Sequence, residues 1–230
     1  MMKIRTWPIA RSNQSGVYRL CLPQRLGNGE LYTDSRYQTF PSLEEVVGED
    51  WYPAIIAKLI DDVGFAAWWT KTKILKKSGL LGYSPAALPD HLDLSDPGGH
   101  LFLTKSFIPR AKKLLVADLA VPEIVDSIRH WFGIDTEFDI EFFFVPPNGK
   151  SWDMSPIQDW CKEKKQWSYP EKLVPEHAER IIAIFDGDIY CVMSKAAAKV
   201  SIQLLTALAE SWQLNVIPGP ERYSWLPNLH

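Results

Sequence analysis

RIIAIFDGDIYCVMSKAAAKVSIQLLTALAESWQLNVIP, residues 180–218, is the stretch whose reading decides the fold. Two apolar runs, RIIAIF and DIYCVM, flank Asp186-Gly187, a pair able to supply the positive φ angles of a type I′ hairpin turn. Ser194 follows at the position of a helix N-cap, where a hydroxyl accepts from a first-turn N–H that has no partner within the helix. Beyond it Lys199, Gln203, Thr206, Glu210 and Gln213 recur at steps of 4, 3, 4 and 3, a narrow polar stripe on an otherwise apolar helix. Such a helix packs hard against a sheet. LNVIP then returns as a strand, so this end of the chain reads as a β-β-α-β unit. The fold class expected is α+β, with a mixed or mainly antiparallel sheet and helices packed on at least one face.

Working outward, VYRLCL (17–22) reads as a strand closed by Pro23. Ser42 and Glu45 stand at capping-box spacing. From Pro53 the apolar residues Ile55, Ile56, Leu59, Ile60 and Val63 follow helical spacing, with proline tolerated in the first turn and Gly64 as a break. Phe65, Trp68 and Trp69 carry the same spacing into an expected second helix ending at KILKKSG. HLFLTKSFI and KKLLVADL read as strands, PEIVDSIRHWFG as a helix, and Ser155–Lys164 as a short helix. Length allows one domain over 1–230, with a possible helical N-terminal subdomain 1–100 and a sheet-rich C-terminal subdomain 101–230.

Composition is that of an ordinary globular chain, 46% hydrophobic and 23% charged, so a sizeable core is expected. Ten tryptophans point to large rings in that core, or to an aromatic surface kept for a partner. A net charge of -3 argues against nucleic acid as a partner, since such binding rests on neutralising phosphates. Cys21, Cys161 and Cys191 are widely spaced and form no CxxC pair, against a disulfide framework or a thiolate metal site. The N-terminal MMKIRTWPIARSNQSG has no apolar stretch of signal-peptide length and no run approaches a membrane span, so the expected location is the cytoplasm, with no membrane partner.

Two polar patterns carry the functional reading. In IDTEFDIEFFF (134–144), Asp135, Glu137, Asp139 and Glu141 fall on every second residue. A β-strand puts such residues on one face at about 6.6 Å intervals, with Phe138, Ile140, Phe142 and Phe144 behind. Like charges in a row repel and are eased by solvent or a cationic partner. The row therefore reads as the wet side of a sheet or as a docking surface for a basic protein. A collinear row is poorly suited to a divalent metal, whose ligands converge from different elements.

PDHLDLSDPGGH places Asp90, His91, Asp93, Asp96 and His100 in one loop, donors that suit zinc, manganese or iron. The spacing matches neither an EF-hand nor HExxH. Lys71, Lys73, Lys76 and Lys77 beside Trp68 and Trp69 read first as a solvated helix end. GxSxG, P-loop and GxGxxG motifs are absent from the sequence, and no cofactor is expected. These observations give a non-catalytic cytoplasmic binding protein, of a bacterial immunity or antitoxin type, docking a basic partner through Asp135, Glu137, Asp139 and Glu141. The alternatives are a metal-dependent hydrolase using the 90–100 loop, or a small-molecule-binding domain with a tryptophan-lined pocket.

Overall fold

The structure, a computed structural model, describes residues 6–14, 16–26, 41–72, 101–105, 112–122, 125, 140–147, 152–162, 170–185 and 188–218. It is an α+β arrangement built on a mainly antiparallel sheet. Its described strands are β1 (Thr6–Gln14), β2 (Val17–Leu22), β3 (Phe65–Thr72), β4 (Leu101–Lys105), β5 (Lys112–Ala120), β6 (Ile140–Val145), β7 (Arg180–Phe185), β8 (Asp188–Met193) and β9 (Asn215–Pro218). They lie in the order β4-β5-β3-β6-β7-β8-β2-β1-β9. The described helices are α1 (Leu43–Val47), α2 (Trp51–Ile60), α3 (Ser155–Lys162) and α4 (Lys195–Ser211), with a 3-10 turn at Pro170–Leu173.

The centre of the sheet is dry on both sides, and the sequence of its strands explains why. In β8, Ile189, Cys191 and Met193 enter one core while Tyr190 and Val192 enter the other. β7 divides Ile182 and Ile184 from Ile181 and Ala183 in the same way, and β6 divides Phe143 and Val145 from Phe142 and Phe144. Runs of apolar residues without polar alternation are what a strand covered on both faces requires. The larger core packs these side chains under α1, α2 and α4, with Leu43, Ile55, Ile56, Leu59 and Leu205 fully buried. The second core lies under α3 and the 3-10 turn. There Trp160 meets Phe142 and Phe144 edge-on, at 5.2 and 5.6 Å between ring centroids.

Local signals at the helix starts are realised in hydrogen bonds. Ser42 Oγ accepts from the Glu45 N–H at 3.1 Å while Glu45 accepts back from the Ser42 N–H at 3.0 Å, a complete capping box. Ser194 Oγ accepts from the Ala197 N–H at 3.1 Å and donates to the Glu179 carboxylate, which ties the start of α4 to the segment entering β7. Phe185 and Asp188 are register partners, so β7 and β8 form a tight antiparallel pair; Asp186 and Gly187 lie outside the described residues. β9 runs parallel to β1, and β1 and β2 stand between it and β8.

Two segments depart from the sequence reading. Phe65–Thr72 is a strand, not the second helix expected there, and it pairs with both β5 and β6. A register shift between Ala66 and Trp68 breaks the period of two, so the apolar residues at 65, 68 and 69 imitate a helical face. Gly64 closes the turn that follows α2, its N–H donating to the Ile60 carbonyl at 2.8 Å with φ +89, a conformation that costs glycine little. β1 carried no strand signal because Pro8 and the polar Arg11–Gln14 run obscure it. Thr6–Ile9 pairs with β9 and Ala10–Gln14 with β2, so Pro8 sits where the strand has a ladder on one side only. The strands β1, β2 and β3, all from residues 1–100, join the same sheet as the later ones. Most of Pro122–Gly133, read as a helix, lies outside the described residues.

Candidate functional site

Of the acidic row, Asp135, Glu137 and Asp139 lie outside the described residues, and of Glu141 the backbone alone is described. Glu141 is the second residue of β6, with Thr70 of β3 and Ile184 of β7 as register partners. β6 is thus an interior strand, and Phe142, Phe143, Phe144 and Val145 beyond Glu141 are all buried. From Phe142 to Val145 the strand is covered on both faces. The loop with Asp90, His91, Asp93, Asp96 and His100 also lies outside the described residues. Among the described residues there is no group of three or more His, Cys, Asp or Glu side chains placed to hold a metal.

Several described ionisable groups are engaged in bonds between elements. Arg180 on β7 is 1% exposed and forms a bidentate pair with Asp62, its Nη1 and Nη2 donating to the two carboxylate oxygens at 2.6 Å each. Nη1 also donates to the Leu59 carbonyl at 3.1 Å, satisfying an acceptor of the last turn of α2. An acidic Asp61-Asp62 pair at a helix C-terminus opposes the helix dipole, and the arginine beneath it supplies the missing positive charge. On the other face Arg19 of β2 pairs with Glu171 of the 3-10 turn, again with contacts of 2.6 Å to both oxygens. Asp188, 5% exposed, accepts from the Gln24 N–H at 3.0 Å. Each of these joins segments far apart in the chain.

Cys21 and Cys191 are free thiols facing opposite cores. Burial pushes the Cys21 thiol well above its ordinary value, with Asp188 and Cys191 adding to the effect and a bond with Tyr190 opposing it. Burial does the same to Cys191, against a smaller opposing pull from Arg180. Thiols held in this way are poor nucleophiles. Cys161 falls within α3, and nothing of its side chain is described.

A more exposed constellation lies where β3 begins. Phe65 is the large apolar side chain that stands out to solvent among the described residues, at 36% exposure. Its ring meets that of Trp152 at 5.8 Å between centroids with a 59° tilt. Trp152 is held in turn by donation of its Nε1–H to the His177 carbonyl at 3.1 Å. The His177 Nε2 stands 4.0 Å from a carboxylate oxygen of Glu176. Asp153, next to Trp152, accepts from the Ser155 N–H at 2.9 Å and so orders the entry to α3. That backbone bond, followed by the Ser155 side chain, lowers the Asp153 carboxyl pKa; desolvation opposes it, and His177 adds a smaller lowering effect. Sequence reading missed this cluster, since its parts come from three separate segments. The one available signal was an unbroken aromatic, Phe65, directly after a helix-ending glycine.

No family model, curated protein or solved structure matches the chain. No helix of the described residues is long and apolar enough to cross a membrane.

Proposed function

We propose that the chain is a non-catalytic, cytoplasmic binding protein that docks a basic protein partner, in the manner of a bacterial immunity protein or antitoxin. The observation that carries this reading is the alternation of Asp135, Glu137, Asp139 and Glu141 leading into β6. A row of four like charges is costly to a lone chain and is relieved by a cationic surface. Two features support it. β6 is paired on both sides, and its residues Phe142, Phe143, Phe144 and Val145 are buried in two cores, so the strand into which the row leads is itself firmly packed. The C-terminal hairpin, helix and strand, read as one β-β-α-β unit, contribute much of that frame.

The test replaces Asp135, Glu137, Asp139 and Glu141 with Asn or Gln. Folding is expected to persist, because the substitutions remove repulsion. Partners captured from cell extract by the wild-type chain should bind the variant with a slower on-rate and a shallower dependence on salt. Recovery of the same partners with the same salt sensitivity would refute docking through the row.

A further inference from the structure

We infer that the Phe65–Trp152 pair, with Asp153, His177 and Glu176 around it, is a docking point for an arginine side chain of a protein partner; this rests on the reading of a basic partner. The chemistry of the patch selects the occupant. Two aromatic rings with centroids 5.8 Å apart, one of them 36% exposed, offer a π surface to a planar cation. A guanidinium suits such a surface better than an ammonium, because it is planar and more weakly hydrated. Carboxylates belong to the segments that carry and hold the Trp152 ring. Asp153 is exposed and follows Trp152 in the chain, and the Glu176 side chain is 82% exposed and precedes His177.

The patch is also preorganised, which lowers the entropic cost of binding. The Trp152 ring is fixed by its bond to the His177 carbonyl, and that carbonyl belongs to a turn closed by the His177 N–H donating to Leu173 at 2.8 Å. Phe65 is anchored through its backbone pairing with Ala120. The Asp153 carboxylate is held by the Ser155 N–H. An incoming arginine therefore meets rings and carboxylates already in place.

The experiment follows the Trp152 indole N–H resonance, assigned by its loss in Trp152→Phe, during titration of the full chain with glycine-spaced peptides. These carry arginine, lysine or the uncharged isostere citrulline. The arginine peptide is expected to shift the resonance saturably, lysine more weakly and citrulline not at all. Phe65→Ser should weaken the arginine peptide by about 3- to 10-fold, and Asp153→Asn with Glu176→Gln by about 3-fold, with the dispersion of the other indole signals unchanged. The row variant at 135, 137, 139 and 141 should leave the Trp152 response intact. No saturable shift, or an equal response to citrulline, overturns the docking point. Partner capture through the row is read separately, so either site can fail while the other stands.

Discussion

Removing the Asp62 carboxylate with Asp62→Ala is expected to destabilise the fold by about 3 kcal/mol, and removing Arg180 with Arg180→Met by only about 1–2 kcal/mol. The asymmetry comes from burial. Arg180 is 1% exposed, and its Nε already has no hydrogen-bond partner among the described residues. Without Asp62 its charge keeps one described acceptor, the Leu59 carbonyl, and water has almost no access to replace the two lost bonds. Breaking a buried pair from one side costs about 3–5 kcal/mol. The lower end applies because the Asp62 side chain is 21% exposed, so water can enter its vacated space. In Arg180→Met the stranded group is Asp62, which rehydrates, and the methionine fills apolar volume between β7 and α2; the remaining cost is the unpaired Leu59 carbonyl. Urea unfolding followed by far-UV circular dichroism gives both differences if the slopes agree with wild type. For a chain of this size the Asp62→Ala loss corresponds to a fall in Tm of about 6–12 °C. A cost below about 1 kcal/mol for Asp62→Ala, or a larger cost for Arg180→Met than for Asp62→Ala, would refute the argument from burial.

Three further outcomes are expected. Ser201→Ala should raise stability by about 1 kcal/mol, because its hydroxyl is fully buried in α4 without a partner among the described residues and alanine is the better helix former; a fall in urea midpoint would contradict this. In a Cys161→Ser background, Cys21 and Cys191 should resist an aromatic disulfide reagent at mildly alkaline pH until denaturant is added, and release of two equivalents of the reagent's chromophore from the native chain would show the thiols to be accessible. Asp153→Ala should lower Tm at neutral pH. Since the folded carboxyl titrates below its ordinary 3.8, its contribution is full above that value and fades as pH falls through the depressed one. The gap between wild type and variant should therefore close in strong acid, and a gap that widened there would reverse the assigned sign.

The hairpin and helix at Arg180–Ser211 were legible because each local signal agreed with its neighbours: unbroken apolar strands, a two-residue connection, and a serine cap bonded to the Ala197 N–H. The segment Phe65–Thr72 was not, because a bulge and paired tryptophans give a strand the spacing of a helix. β1 was hidden by Pro8, whose acceptability depends on which neighbour each half of the strand has. Of the site, sequence exposed the charge alternation before β6 but not what surrounds it. The Arg180–Asp62 and Arg19–Glu171 pairs join residues 118 and 152 positions apart, and the Phe65–Trp152 contact joins the start of β3 to the segment before α3. Periodicity reports the side of an element a residue occupies, whereas a site depends on which elements meet.

The divided pairing of β1 also bears on the order in which the molecule can be completed. Ala10–Gln14 can find β2 as soon as the adjoining turn forms, but Thr6–Ile9 has its partner in Asn215–Pro218. On a ribosome adding about 5–20 residues per second, the first half of the strand waits on the order of 10–40 s for that partner. Trp7 and Ile9, both buried in the finished core, are exposed throughout the wait. Such an interval invites association with other nascent chains or capture by a chaperone. Pro8 between the two apolar residues lacks a ladder donor, which makes the waiting segment a poor template for foreign strands. The proline that obscures β1 in the sequence thus also removes a donor from the half of the strand that is completed last.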